Sequence, residues 1–148
     1  SFNSFFYVSS SEWNLYSFIV AIAKKHQLPK AVIQLKKIKT GIGDFLFTGG
    51  GNHNHKLEKI KEIISLNPKL NYVLIGDDSQ KDPYLYEQIS KMFPKNIACI
   101  YIRQIGKNEK NKVVSVLNNI TSLNINSLYF KNSSEAILHS KSIGIIKS

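Results

Sequence analysis

The segment YVLIGDDSQKDPYLYEQISKMFPKNIACIYI, Tyr72 to Ile102, contains two nearly continuous apolar runs, YVLI at 72–75 and IACIYI at 97–102. Such runs are typical of strands that are covered on both faces of a parallel sheet. Between them, Pro83 suits the first turn of a helix, which we predict to end near Met92. The segment therefore predicts two parallel strands joined by a crossover helix.

The same alternation continues on both sides of this segment. It predicts further strands at 5–9, 31–35 and 127–130, helices at 14–27, 56–66 and 111–123, a Gly- and Asn-rich loop at 42–54, and a last helix capped by Ser133. We therefore expect one α/β domain over residues 1–148, with a Rossmann-like, mostly parallel sheet and helices on both faces.

Charge and cysteine content limit the class of protein. Lys and Arg total 20 against 10 acidic residues, a formal charge of +10, which favours contact with polyanions such as phosphorylated lipids. No dense Lys/Arg cluster marks a nucleic-acid patch, so we expect no nucleic-acid partner. Cys99 is the only cysteine, and residues 1–11 lack a secretory signal. These features predict a cytoplasmic protein and leave peripheral contact with an anionic membrane open.

Ligands of open α/β folds bind beyond the carboxyl ends of the strands. The polar residues at these positions are Ser9, Ser10, Ser11, Asp77, Asp78, Asp82 and Arg103, together with Lys56 if it opens its helix on the same side. Carboxylates with phosphate oxygens suit Mg²⁺, and basic side chains offset phosphoryl charge. The spacing alone leaves other roles open, since the aspartates also suit turns, the serines suit helix caps and Lys56 suits a solvated first turn.

Four segments together resemble the actin-patch phosphatidate phosphatase family of the haloacid dehalogenase superfamily. They are FYVSSSEWNLY (6–16), HKLEKIKEII (55–64), NPKLNYVLIGDDSQKDPYLYEQI (67–89) and IYIR (100–103), and the tail from Tyr129 to Ile146 is also similar. The most specific part is the GDxxxxD block, which continues into DPxxY. The resemblance implies a haloacid dehalogenase-like core.

The resemblance also implies roles for individual residues. Ser9 matches the hydroxyl that hydrogen-bonds the transferring phosphoryl group, Lys56 matches the lysine that offsets charge on nucleophile and phosphate, and Asp77 matches the acid that holds Mg²⁺. Asp82 matches the second acid of the same motif, as a ligand or its support. Ser10, Ser11 and Arg103 are expected to bind substrate, although a structural salt bridge is an equal alternative for Arg103. Asp78 is off the motif spacing and is expected to be an exposed turn residue.

The superfamily's nucleophile motif, DxDx(T/V), does not occur among the ten acidic residues of this chain. In the family this motif precedes the serine block, so the matching segment would precede Ser1, on a central strand between the strands that end at Ser9 and Ile75. Our hypothesis is that the sequence is the C-terminal part of a longer protein. Alone, the chain is expected not to hydrolyse phosphate esters, because a covalent route needs its nucleophile.

The leading expectation is a Mg²⁺-dependent phosphatase of a phosphatidate-like lipid. A small soluble phosphate ester is the alternative substrate, and a non-catalytic basic module that binds anionic membranes or a protein partner is the alternative function. Trp13, Tyr16 and Phe18 suit either contact with a lipid tail or packing in the core, and core packing is the plainer expectation.

Overall fold

The computed structural model describes residues 3–36, 52–106 and 110–147. The chain divides into two compact units, Ser1–Ile63 and Ile64–Ser148. In each unit parallel strands alternate with helices, which confirms the predicted α/β class and its Rossmann-like character. The triplet Gly49 to Gly51 lies outside the described residues, and the single domain over 1–148 stays a prediction. None of the described helices combines the length and the apolar character needed to cross a bilayer.

The first unit begins with a parallel pair of strands. β1 (Phe5–Glu12) is followed by a short 3-10 helix (Trp13–Leu15), by α1 (Tyr16–Lys25) and by β2 (Ala31–Lys36). The strands pair from Phe5 opposite Ala31 to Val8 opposite Gln34, and the register then shifts before Glu12 pairs with Lys36. β1 therefore extends three residues beyond its predicted end at Ser9.

A long helix, α2 (Asn52–Leu66), follows, and the division between the two units falls within it. Its apolar side buries Ile60, Ile63 and Ile64, the spacing that was predicted for one helical face. Ion pairs three residues apart link Lys59 to Glu62 at 2.7 Å and Lys61 to Glu58 at 2.9 Å. Exposed pairs of this kind stabilise a helix by about 0.2–0.5 kcal/mol each. The predicted start at residue 56 was wrong, because the helix begins at Asn52.

The second unit is a three-stranded parallel sheet in the order β3-β4-β5. Its elements are β3 (Tyr72–Asp77), α3 (Asp82–Met92), β4 (Ile97–Arg103), α4 (Lys110–Thr121), β5 (Asn126–Phe130) and α5 (Ser133–Ser142). The N-cap of α5 is Asn132 rather than the predicted Ser133. Its backbone N–H donates to the Glu135 carboxylate at 3.1 Å, so Glu135 satisfies a donor at the helix start.

Helices cover both faces of this second sheet. Cys99 and Tyr101 of β4 join Phe130 of β5 in a buried cluster against which Ala136 of α5 packs. Side chains alternate between faces along a strand, so Ile100 and Ile102 point to the opposite face. Gly76 of β3, in register with Ile102, contacts α3 on that second face. Burying each large aliphatic side chain of β4 contributes about 1.5–3 kcal/mol, which makes this strand the core of the unit.

Candidate functional site

The carboxyl ends of β3 and β4 bring two of the predicted site residues to one edge of the second sheet. Asp77, the last residue of β3, pairs in register with Arg103, the last residue of β4. Arg103 in turn pairs with Phe130 at the end of β5. Because these strands are parallel, the loops that follow all three of them leave from this same edge. The edge is the candidate site.

Asp77 is half-buried, and hydrogen bonds from Ser79 hold its side chain in place. Its Oδ1 accepts a hydrogen bond from the backbone N–H of Ser79 at 2.8 Å and a second from the Ser79 hydroxyl. Asx turns of this kind tie an aspartate side chain to its own backbone. Among the described residues, no hydrogen bond is donated to the other oxygen, Oδ2. The turn holds the carboxylate through a single oxygen.

Asp82 begins α3 and lies directly over Gly76. Its side chain is buried, and a Cβ placed on Gly76 would lie 2.8 Å from Asp82 Oδ2. A carboxylate in the first turn is stabilised by the N-terminal end of the helix dipole. Tyr86, one turn further along α3, donates its hydroxyl to the Ile75 carbonyl at 2.8 Å. Burial, and then the nearby carboxylates of Asp82 and Asp77, raise the pKa of the Tyr86 hydroxyl.

Asp78 lies in the bend after β3, as expected of a turn residue, but the expected exposure was wrong, because Asp78 is half-buried. Its carboxylate connects the segment after β4 with Tyr129 of β5. Oδ1 accepts from the backbone N–H groups of Ile105 at 2.8 Å and Gly106 at 2.6 Å, and Oδ2 accepts from the Tyr129 hydroxyl at 2.6 Å. Burial alone would raise the pKa of Asp78, but these hydrogen bonds hold it below its ordinary value. Burial and this carboxylate raise the pKa of Tyr129 to about 12.

Arg103 has an exposed side chain at the same edge. None of the ion pairs formed among residues 3–36, 52–106 and 110–147 involves it. Its backbone carbonyl accepts a hydrogen bond from the Asp78 N–H at 3.1 Å, which fixes the chain at this point. The sequence left two roles open for Arg103, a structural salt bridge and contact with substrate. Within the described part of the chain Arg103 forms no salt bridge. Substrate contact stays a prediction.

Ser9 and Ser11 of the first unit lie in β1 and bond to each other rather than capping a helix. The Ser9 hydroxyl donates to Ser11 Oγ at 3.0 Å, and the Ser11 backbone N–H donates to Ser9 Oγ at 3.1 Å. They lie where the β1–β2 register shifts, and the N-cap of α1 is Leu15, without a side-chain cap. The capping alternative was therefore wrong for α1. Ser10 lies in β1, and its side chain is outside the described residues.

One of the sequence-based interpretations placed Lys56 at the start of its helix, and the structure does not. Lys56 is the fifth residue of α2 and is half-buried. Ser9 and Lys56 belong to the first unit, whereas Asp77, Asp82 and Arg103 belong to the second. The convergence of the two sets on one phosphoryl site stays a prediction, and so does the role of each residue in it.

The donor set around Asp77 suits a cation that uses few protein ligands. Within the described ranges there is no group of three or more His, Cys, Asp or Glu side chains arranged as a closed metal site. Mg²⁺ is usually bound by one or two carboxylates together with phosphate oxygens and water, rather than by an all-protein cage. Asp77 ends β3 and Asp82 begins α3. These two carboxylates match the one or two that Mg²⁺ needs from the protein.

Two tyrosines and one glycine at this edge were missed by the sequence-based reasoning. Tyr86 ends the DPxxY block, and its spacing of four from Asp82 places the two on one helical face, a signal that could have linked them. Gly76 precedes Asp77 in a strand, where glycine often marks a close approach, here by Asp82. Tyr129 carried no local signal, because its partner Asp78 is 51 residues away.

Most of the chain matches one enzyme family in comparisons with known proteins. The family model described as "Phosphatidate phosphatase APP1, catalytic domain" matches residues 1–104. Phosphatidate phosphatase APP1 of Saccharomyces cerevisiae (strain S288c) is 29% identical over 99 residues, which cover 67% of this chain and 16% of the yeast protein. No solved structure matches the chain. The similarity predicted for the tail beyond residue 104 stays a prediction.

Proposed function

The chain belongs to the family of the phosphatidate phosphatase APP1 catalytic domain, and on that basis we propose that it is part of a Mg²⁺-dependent phosphatase of phosphatidate-like lipids. The match over residues 1–104 includes every predicted site residue, from Ser9 to Arg103. The alignment with the yeast relative covers only 16% of that protein, so the activity of the whole protein is part of the proposal.

The observation that carries the proposal is the placement of Asp77. It ends β3 at the edge where ligands of open parallel sheets bind, and within the described part of the chain only Oδ1 of its carboxylate accepts a hydrogen bond. Asp77 would hold Mg²⁺ directly, and the buried Asp82 would serve as a second ligand or as its support. When bound, the ion offsets charge on the phosphate and polarises its oxygens.

The basic and hydroxyl residues have complementary roles in the proposal. Lys56 offsets negative charge on the phosphoryl group, and Ser9 donates a hydrogen bond to it. Ser10 and Ser11 adjoin Ser9 as further substrate contacts. The exposed Arg103, in register with Asp77, binds phosphate oxygens of the substrate. The formal charge of +10 supports the binding of an anionic lipid rather than a neutral one.

The covalent step needs an aspartate that we place upstream of Ser1. Its carboxylate oxygen would form a bond to phosphorus while the bond from phosphorus to the lipid oxygen breaks, and that oxygen takes up a proton as diacylglycerol leaves. Water then attacks the aspartyl-phosphate, and inorganic phosphate and the free carboxylate result. This chain contributes charge neutralisation and orientation to both steps.

The test uses the protein that is encoded by the complete gene. We expect it to release phosphate from phosphatidate vesicles in the presence of Mg²⁺ and to lose this activity after treatment with a chelator. Release from a soluble phosphate ester but not from vesicles would contradict the lipid assignment. Vesicle binding without any release of phosphate would overturn the enzyme assignment in favour of a basic binding module.

A further inference from the structure

The Asp78 carboxylate connects three segments that are distant in sequence. Its two oxygens accept hydrogen bonds from the backbone N–H groups of Ile105 and Gly106, in the segment after β4, and from the hydroxyl of Tyr129 on β5. Its own backbone N–H donates to the Arg103 carbonyl at 3.1 Å. We call the carboxylate of Asp78 and its three donors, Ile105, Gly106 and Tyr129, the Asp78 clamp.

The geometry of the Asp78 clamp is tight. The distances from the carboxylate to its three donors are 2.6–2.8 Å, in the short range of hydrogen bonds to an ionised acceptor. Glycine at position 106 favours the approach, because a Cβ there would lie 3.1 Å from Asp78 Oδ1 and the carboxylate would have to move by a few tenths of an ångström. Hydrogen bonds to charged groups are stronger than those between neutral groups, so the clamp resists displacement of the residue that carries it.

Asp77 and Asp78 are joined by one peptide unit, so a clamp that fixes Asp78 also limits where the Asp77 carboxylate lies. We propose that Asp78 is a positioning residue: through Ile105, Gly106 and Tyr129 it holds Asp77 in the orientation that binds the metal ion. This inference rests on the proposed function, because it assigns Asp78 to the support of that same site. Both oxygens of Asp78 already accept from protein donors, which distinguishes it from a ligand.

Two substitutions of Asp78 separate positioning from direct ligation. In Asp78→Asn, the side-chain oxygen still accepts from both backbone N–H groups, and the Tyr129 hydroxyl can turn to accept from the amide nitrogen. The clamp is therefore retained without the charge. In Asp78→Ala all three hydrogen bonds are lost. A metal ligand would lose its function in both variants, whereas a positioning residue is rescued in Asp78→Asn.

A matched pair of tyrosine substitutions supplies the control. Tyr129→Phe removes the hydroxyl that bonds to Asp78. Tyr101→Phe removes a hydroxyl from the neighbouring strand, where it bonds to His139 Nδ1 at 3.0 Å and to Ser140 Oγ at 2.7 Å. Both variants lose a part-buried hydroxyl from the same sheet, and only the first touches the clamp. A loss of stability alone should therefore affect both alike.

The experiment measures the affinity for Mg²⁺ without substrate, from the rise in Tm that added Mg²⁺ causes, as well as the Mg²⁺ concentration at half-maximal phosphate release and kcat. All three are measured on the complete protein, and the kinetics are run at a temperature where circular dichroism shows every variant folded. Loss of residues that support metal ligands lowers metal affinity by about 10–100-fold. We expect a rise of that size and a lower kcat for Asp78→Ala, and values within about threefold of wild type for Asp78→Asn, since the clamp is kept. Tyr129→Phe should shift the Mg²⁺ requirement, and Tyr101→Phe should leave it unchanged.

Four results would overturn the inference, and the last of them would overturn the proposed function as well. An unchanged Mg²⁺ requirement in Asp78→Ala would leave Asp78 with a structural role only, while the proposed function stands. A loss in Asp78→Asn as complete as in Asp78→Ala would make Asp78 a ligand or a charged participant instead. If Asp78→Ala does not fold, equal Mg²⁺ requirements for Tyr129→Phe and Tyr101→Phe would overturn it. A wild-type protein without Mg²⁺-dependent release would overturn the proposed function itself, and this inference with it.

Discussion

Gly76→Ala should destabilise the protein, although alanine is normally the better residue in a strand. The added Cβ would lie 2.8 Å from Asp82 Oδ2, 3.0 Å from Asp82 Cβ and 3.0 Å from Tyr86 Cε2. Neither neighbour can turn into solvent, since Asp82 and Tyr86 are only 9% and 8% exposed and the Tyr86 hydroxyl bonds to Ile75. The start of α3 must therefore shift away from β3.

The magnitude follows from two opposed terms. Overpacking a buried contact costs about 1–3 kcal/mol. The loss of glycine's extra freedom in the unfolded chain favours the variant by about 0.4–1 kcal/mol. Taken at their midpoints, the two terms leave a net loss of about 1.3 kcal/mol, and for a chain of this size each kcal/mol lowers Tm by about 2–4 °C. Thermal unfolding followed by circular dichroism, at fixed protein concentration, measures the change.

A double-mutant cycle locates the cause. In an Asp82→Ala background the contact to Oδ2 is absent, so adding Gly76→Ala should cost less than it does in the wild-type chain. A Tm that is unchanged or raised by Gly76→Ala would refute the close approach of α3 to β3. An equal cost in both backgrounds would refute the part assigned to the Asp82 carboxylate.

Two further predictions concern acid stability and the lipid surface. The pKa of Glu87 is lowered by a hydrogen bond from Lys91 at 2.8 Å and, against the effect of burial, by one from Asn119 at 3.0 Å. Because the folded-state pKa lies below the unfolded value of about 4.5, its stabilising effect is present above that value and is lost as the pH falls through the lowered pKa. Urea unfolding should therefore show Glu87→Gln less stable than wild type near neutral pH, with the difference vanishing under acid; a difference independent of pH would contradict this. Phe18 is 63% exposed, so core packing does not account for it, and Phe18→Ser should weaken sedimentation with anionic vesicles by up to about tenfold while soluble-ester hydrolysis is unchanged. Equal loss in both assays would indicate a general defect instead.

Much of the fold could be predicted because its strongest signals are local. The apolar runs at 72–75 and 97–102 mark β3 and β4, and Pro83 marks the start of α3 within one residue. The predicted end of β1 was wrong, because the interaction that decides it is not local in sequence. β1 continues through the serines because its pairing with β2 resumes at Glu12 after a register shift, which no local pattern shows.

The candidate site divides in the same way. Asp77 and Arg103 could be placed at one edge because each stands at the end of an apolar strand, and parallel strands end together. The role of Asp78 could not be predicted, because its partners lie 27, 28 and 51 residues away and become neighbours only when β3, β4 and β5 assemble. Because aspartate at a strand end is typical of an exposed turn, the sequence predicted the wrong degree of exposure for Asp78. Local composition carries no information about contacts with residues so distant in sequence.

The most direct test of the account is the Mg²⁺ dependence of phosphatidate hydrolysis in the complete protein and in its Asp77→Asn variant. The substitution keeps the size of the side chain and an oxygen for the Ser79 hydrogen bonds, but removes the charge that would hold the cation. We predict that Asp77→Asn releases no phosphate at Mg²⁺ concentrations that saturate the wild type, while its Tm without metal stays close to that of wild type. Full activity of Asp77→Asn at the same Mg²⁺ requirement would contradict the account.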